Sequence, residues 1–454
     1  MDNQGVFRDV RHWTRWERIR EQLGQQSERS IGLRLVDRHQ AKGYYRFING
    51  DHVSPVQLSR ANQIKGLAQA SADGGLILAI QDTTELDYSK KRSASNLGPM
   101  EYKFRRGMYL HNQILLSESG VPLGIFSQRF IVRDMKGFGK RKSRKYAPIE
   151  QKESYRWLEG YRDLESAFAS NKDQTVLCIC DREADIHELL QSREQPHVHY
   201  LIRSRTDRRL NDSEDKLYEQ VGDAPLGFSY SLELPAKKGI AARQAELEVR
   251  YSQATIRPGY RPPSQNQLEP VALYIIEVEE RNPPEGTKPI CWRLLTSMEV
   301  LDENQARQII QYYTRRWVIE RFHYVLKQGF KVESRQIESP QALQNAIILD
   351  SWPAIQICAL HYHALNHPDH PVQQTGIAPQ YVDLAATFLT QKYKIKYLPE
   401  NRYSADGAIR IIAILGGFQA QKDRKPGMIS IWRGWKRLEL LIEFQQINLD
   451  VGYG

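Results

Sequence analysis

Cysteine is scarce, with four residues in a chain of 454. So few exclude a disulfide framework and fit a reducing compartment. Cys178 and Cys180 sit inside an apolar run, Cys291 adjoins Trp292, and no second paired motif completes a cysteine zinc site. No run of about 18 apolar residues occurs, and the N-terminus carries no charged-then-apolar leader, so the chain is expected neither to span nor to cross a membrane. Negative charge is the minority sign. Asp and Glu number 54 against 64 Lys and Arg, a net charge of +10, which suits a polyanionic partner. Charge alone leaves nucleic acid and an anionic membrane surface both open. The length permits a large core and two or three domains.

What is present centres on residues 313–327. Asp302, with Gln305 three residues on, reads as a helix start, and Gly329 lies just past the end. No Pro or Gly falls between, so the pattern predicts one helix. At about 100° per residue from Tyr313, Arg316, Glu320 and Lys327 fall near −60°, −20° and −40°, on one narrow stripe. Val318, Ile319, Phe322, Val325 and Leu326 occupy the opposite side. A carboxylate flanked by two cations and a phenol is also what an ordinary surface helix with a salt-bridged face would show.

Two upstream segments give that carboxylate company. Leu76 to Gln81 is an apolar run closing on Asp82, and Val176 to Cys180 is another closing on Asp181. Such runs read as buried strands. A lone Asp after a strand is usually a turn or helix-cap residue. Two of them, together with Glu320, are what a shared acidic site requires.

These residues carry a resemblance. Tyr313, Arg316, Glu320 and Lys327 have the Tyr-x2-Arg-x3-Glu-x6-Lys spacing of the YREK signature of bacterial DDE transposases. The likeness is to the cut-and-paste insertion-sequence-four family, which includes the enzyme of the kanamycin-resistance transposon. Asp82-Thr83-Thr84 resembles the family's first acidic motif, and Asp181-Arg182-Glu183-Ala184-Asp185 its second, the DREAD box. Lys42 to Phe47, Arg203-Ser204-Arg205, Trp292 to Ser297 and Leu415 to Phe418 are further similar segments, in the expected order.

The resemblance implies an α/β fold: a ribonuclease H-like mixed-sheet catalytic core with a β-rich insertion, flanked by helical N- and C-terminal regions. The expected divisions are 1–70 for a helical DNA-end-binding region, 71–205 and 301–366 for the two parts of the core, 206–300 for the insertion, and 367–454 for a helical dimerisation region. It implies that Asp82, Asp181 and Glu320 are the catalytic residues and hold two Mg²⁺ ions, with Mn²⁺ accepted. Asp82 would bridge the ions, with Asp181 on one and Glu320 on the other. Tyr313, Arg316, Lys327, Arg203 and Trp317 would contact DNA, and Trp292 would receive a base flipped from the duplex. The implied partners are double-stranded DNA, as transposon ends and target, and a second protomer in the DNA complex. The implied setting is the bacterial cytoplasm, at the nucleoid.

Elsewhere the residues speak for themselves. Arg8, Arg11, Arg15, Arg18 and Arg20 interleave with Trp13 and Trp16, which fits equally a basic DNA-facing helix and a solvated amphipathic segment. Ile31 to Gln40 does not follow the family pattern. Gly43 to Ala72 reads as helical with a start at Ser54-Pro55. Met108 to Leu116 and Pro122 to Gln128 form a hairpin candidate around Gly120. Arg133 to Lys145 is a basic run broken by Gly137 and Gly139, of a kind that touches phosphates. Pro235, Pro258, Pro262, Pro263, Pro283, Pro284 and Pro289 punctuate alternating runs such as Ala245 to Tyr251. Ser339-Pro340 opens a helix reaching about His363, with a kink expected at Pro353. His361, His363, His367 and His370 invite a zinc reading, but Pro368 interrupts them and no acidic partner is evident. The apolar face near Trp432, Trp435 and Leu438 suits a second protomer and the chain's own core equally.

The chemistry fits the residue types. Two divalent ions about 3.5–4 Å apart activate an attacking oxygen and stabilise a leaving one at a phosphodiester, and oxygen ligands are what Mg²⁺ prefers. Three rivals remain at this stage: an end-binding copy without activity, a ribonuclease H-like metal-dependent nuclease, and a glycoside hydrolase, whose paired carboxylates need no metal.

Overall fold

The strand β1 (Ile77–Asp87) changes character halfway along. Ile77 to Gln81 are buried in succession, and from Thr83 burial alternates, with Thr84 and Leu86 inward. A strand covered on both faces reads as an unbroken apolar run, and one open on a single face alternates. The sequence suggests that the strand closes at Asp82. It does not: the apolar run stops there, while β-branched Thr83 and Thr84 carry the strand on.

The computed structural model describes residues 5–25, 38–91, 96–102, 104–135, 147–234, 241–260, 268–419 and 424–451. Most of the basic run 133–145, most of 31–40, and Pro235, Pro262 and Pro263 lie outside them. Before β1 come α1 (Val10–Gln25), α2 (Arg38–Ile48) and α3 (Pro55–Asp73). After it come β2 (Gly98–Pro99), β3 (Arg106–Leu116), β4 (Pro122–Ile131), α4 (Tyr155–Phe168), β5 (Val176–Cys180), α5 (His187–Gln191) and β6 (Val198–Arg203). Then follow α6 (Leu217–Asp223), β7 (Leu226–Leu234), β8 (Arg243–Ile256), β9 (Val271–Arg281) and β10 (Cys291–Thr296). The chain continues with α7 (Glu303–Thr314), α8 (Trp317–Tyr324), a π turn at Val325–Gly329, α9 (Pro340–Asn366), α10 (Pro379–Lys392), α11 (Ala405–Leu415) and α12 (Met428–Val451).

The chain divides into two units. The sheet unit comprises Gly75–Asp82 and Gly139–Arg316; the helical unit comprises Met1–Gly74, Thr83–Phe138 and Trp317–Gly454. In the sheet unit the strand order is β1-β5-β6-β10-β9-β8-β7. β1, β5 and β6 run parallel, and β10, β9, β8 and β7 add on antiparallel. This is the mixed α/β sheet expected of a ribonuclease H-like core with a β-rich insertion. Ala245, Leu247 and Val249 of β8 face inward as their alternation predicts. α4 buries Trp157, Leu158, Tyr161, Leu164 and Phe168, a helical stripe. Gly160 lets α4 sit on Gln81, whose amide occupies the space a Cβ would need.

In the helical unit α3 starts with the expected cap: the Gln57 amide N–H donates to Ser54 Oγ, and the Ser54 N–H donates to Gln57 Oε1 at 3.0 Å. The β3–β4 hairpin turns through Gly120 at φ +91°, a left-handed conformation that favours glycine. α1 resolves the N-terminal ambiguity in part. Trp13, Trp16 and Ile19 are buried, and Arg20 lies over the Trp16 and Trp352 rings, so the tryptophans serve the core while Arg8, Arg11 and Arg18 stay exposed. α9 opens on the Ser339 cap and continues through Pro353. Trp432 of α12 packs on Phe330, ring centroids 4.5 Å apart, whereas Leu440 and Phe444 on the same helix are exposed. Among the described residues no helix is long and apolar enough to cross a membrane.

Two histidines give a pH signature. Burial first, then Arg193, pushes His199 down to about 4, and burial, then Arg321 and Lys425, does the same to His361. Below the ordinary value of 6.5 the unfolded chain takes up a proton that the native site refuses, so stability falls as pH drops from 6.5 towards 4 and levels off below. Denaturant midpoints at pH 7 and pH 4.5 should therefore differ, and His199→Gln should narrow the gap; an unchanged gap would contradict the assignment.

Candidate active site

The parallel pairing of β1 and β5 matches Ile77 with Val176 and continues evenly to Ile80 with Ile179. Carried two residues further, this register sets Asp82 beside Asp181 at the same end of neighbouring strands. Adjacent strands lie about 4.8 Å apart, and residues paired across them share a face. The buried Cys180 thiol senses both acids: its pKa is pushed well up by burial first, then by Cys178 and by the charges of Asp181 and Asp82.

The two carboxylates are held differently. Asp82 Oδ2 receives Arg316 Nη1 at 3.2 Å, with both side chains largely shielded from solvent. Asp181 caps a short 3₁₀ turn, its Oδ1 accepting from the Glu183 N–H at 2.8 Å. The remaining acids of that motif are held by partners of their own. Glu183 pairs with Arg156. Asp185 accepts from the Arg205 and Thr206 N–H groups at 2.6 and 2.8 Å and pairs with Arg208, fixing the turn that follows β6. Sequence reasoning assigned no such role to Asp185; its only signal was its place in the motif beside Arg203-Ser204-Arg205.

The helix expected from 302 to 329 is interrupted. Asp302 caps α7, accepting from the Gln305 N–H at 2.9 Å, but α7 ends at Thr314. Arg315 and Arg316 donate to Tyr312 O and Tyr313 O, both at 3.0 Å, a three-residue spacing that tightens the turn. No Pro or Gly marks the break, because its cause is tertiary. The chain passes there from the sheet unit to the helical unit, and the Arg316 guanidinium is taken up by Asp82. The single stripe does not survive this. Tyr313, expected on the polar face, is buried, with its ring edge-on to Trp292 at 5.9 Å. Burial, offset by Arg316 and Arg203 and reinforced by Asp181, pushes its hydroxyl up to about 12.

The sheet unit thus brings together Asp82, Asp181, Arg316, Tyr313, Trp292 and Arg203. Trp292 lies half-exposed on β10, paired with Val278. Arg203 Nη2 donates to Cys291 O at 2.9 Å, while its buried Nε has no partner. Burial, then the neighbouring Arg182, lowers the Arg203 pKa. Glu320, Lys327 and Trp317 belong to the helical unit. There Val318, Ile319, Phe322, Val325 and Leu326 are all buried as predicted, Glu320 and Lys327 are half-exposed, and Trp317 is exposed. Lys327 sits in the π turn, a feature frequent at functional sites. His323, one turn beyond Glu320, meets Asn112 at 2.9 Å, and Gln128 donates to Asn112 and Ser351. This buried network pins α8 to the β3–β4 hairpin.

Carboxylate oxygens in register are hard donors of the kind Mg²⁺ and Mn²⁺ take. Among the described residues no group of three or more His, Cys, Asp and Glu is arranged to hold a metal ion. The histidines are no exception: His363, His367 and His370 lie with ring centroids 4.6–5.5 Å apart, the rings of His367 and His370 stacked, and His367 is engaged by Ser119 Oγ.

Among solved structures the chain is similar to the piggyBac transposase, in a cryo-EM structure of its synaptic complex with hairpin DNA, at 13% identity and a TM-score of 0.31. The match covers 74% of this chain and 57% of that one, little more than half its length. Residues 156–350, which include Asp181 and the whole of Tyr313 to Lys327, match the family model of the transposase DDE domain.

Proposed function

We propose that the chain is a DDE transposase of the insertion-sequence-four type with a YREK signature, cutting DNA at the ends of a mobile element and joining them to target DNA. The observation that carries this reading is the placement of Asp82 and Asp181 at the same end of the paired strands β1 and β5, with Arg316 on Asp82 and with Asp181 and Arg316 inside the stretch matching the DDE domain. Asp82, Asp181 and Glu320 would hold two divalent ions. When bound, these supply activation of the attacking oxygen and stabilisation of the leaving one.

The side chains then divide the work. Arg316, which balances Asp82 in the free protein, is released to a phosphate once that carboxylate has another cation, and its fork suits two phosphate oxygens. Tyr313, its hydroxyl pushed up to about 12, is protonated at neutral pH like any tyrosine and serves as a donor. The unpartnered Nε of Arg203 is a second phosphate donor. Lys327 contributes a point charge. Trp292 offers a ring face to a displaced base, and Trp317 an exposed one. One strand is hydrolysed, the new 3′-hydroxyl attacks the opposite strand to give a hairpin, and the opened end attacks target DNA. The same residues serve each step because only the nucleophile changes. Leu440 and Phe444, exposed one turn apart on α12, are suited to pairing two protomers on DNA. The setting would be the bacterial cytoplasm, at the nucleoid.

Purified protein incubated with DNA carrying the element's ends tests this. With Mg²⁺ or Mn²⁺ we expect nicks, then hairpins, then joined products; EDTA should stop all three and added Mn²⁺ restore them. Retarded bands without nicks would mean an end-binding copy without activity. Nicks that never lead to joining would mean a ribonuclease H-like nuclease. Cleavage that continues in EDTA would overturn the metal assignment.

A further inference from the structure

Tyr102 and Phe104 form an aromatic pair that the helical unit does not use for its own core. They are 53% and 79% exposed, yet stacked on each other with centroids 5.6 Å apart and ring planes 14° from parallel. They lie between β2 and β3, where hydrogen bonds tie the neighbouring residues. The Met100 N–H donates to Arg105 O at 3.1 Å and the Arg105 N–H to Tyr102 O at 3.0 Å. Arg105 is clamped by Asp87 and Glu85. Gly98 and Gly107 lie so close to the Arg133 and Leu86 carbonyls that a Cβ at either would collide. Two large aromatic rings exposed side by side to water are unfavourable unless something covers them.

The surroundings say what. Arg106 lies two residues past Phe104, its N–H donating to Ser89 Oγ at 2.9 Å, which brings the turn bearing exposed Lys90 and half-exposed Lys91 alongside. Glu101 is the acid between the two strands, and the acids beneath are engaged by Arg105. Aromatic faces flanked by cations are the arrangement on which unpaired bases stack while the backbone phosphates are neutralised. We propose that Tyr102 and Phe104 are a stacking platform for an unpaired base of bound DNA, separate from Trp292. This rests on the chain having a DNA partner, and adds a binding site to that reading.

The test uses the full chain in EDTA, so that binding is read without cleavage. Fluorescence anisotropy would compare a short DNA duplex containing one unpaired thymine with the same duplex fully paired. The wild type should prefer the first. Tyr102→Ala with Phe104→Ala should weaken binding to it by about tenfold and to the paired duplex by less than about twofold, while Phe104→Trp keeps the preference. 5-Iodouracil at the unpaired position should crosslink to the peptide containing these rings. Equal binding of both duplexes by the wild type, or equal loss in the variant, overturns the platform but not the transposase reading. A wild type that binds neither overturns both. A variant that loses self-association while keeping its DNA preference shows that the rings meet a second copy of the chain, which also overturns the proposal.

Discussion

Replacing Asp82 by Asn should reduce strand cleavage by about a thousandfold or more, while affinity for end DNA stays the same or rises. The substitution keeps the shape of the side chain and removes one charge. A divalent cation held by this carboxylate would lose a ligand that it cannot recover from an amide. Arg316, 3.2 Å from Asp82 Oδ2, is no longer held by a carboxylate charge and turns more readily to phosphate, which is why binding should not fall. Glu320→Ala should give the same loss of cleavage with little change in binding. The two variants differ in one respect. Arg316→Gln combined with Asp82→Asn should remove the gain in affinity, and combined with Glu320→Ala should lower binding below that of Glu320→Ala alone. Nicking assays and gel retardation on the same preparations read both quantities. Parallel loss of cleavage and binding in Asp82→Asn would show that this carboxylate supports the fold rather than the chemistry.

The parts of this site that could be read in advance are those set by short-range pattern. Each apolar run announced its strand, and the Asp after each marked where covering ends. The cap at Asp302 and the buried face from Val318 to Leu326 follow from spacing alone. The break after Thr314 was invisible, because a helix without Pro or Gly carries no local instruction to stop. Its cause lies in Asp82, more than two hundred residues away, and in the passage of the chain between units. Tyr313 was misplaced for the same reason: a helical wheel assigns a side but cannot know that Trp292 will cover it. Arg203 shows the other limit. A strand-end Arg can bind a ligand or a carbonyl, and only the fold shows one nitrogen on Cys291 O and another left without a partner.

The second large effect concerns stability. Arg335 and Asp350 form an ion pair in the helical unit, with side chains 6% and 0% exposed. Burial works against the guanidinium's charge, but Asp350, Tyr44 and Tyr88 together outweigh it and the net shift of Arg335 is upward, so the guanidinium keeps its charge. Tyr88 lies beside it, donating to Val332 O at 3.0 Å, and burial, then Glu333, raises its pKa far enough that it never competes as an anion. Asp350→Ala therefore strands a cation where water does not reach, at a cost of about 3–5 kcal/mol. That corresponds to a fall in Tm of roughly 10 °C or more for a unit of this size. Asp350→Asn keeps an acceptor for one guanidinium N–H and should cost less, about 1–3 kcal/mol. Replacing both partners, Arg335→Met with Asp350→Leu, should recover most of the loss, since two apolar side chains of similar volume need no pairing. If the double variant is no more stable than Asp350→Ala, the pair is needed for its shape and its hydrogen bonds, and charge balance is not what makes the single substitution costly.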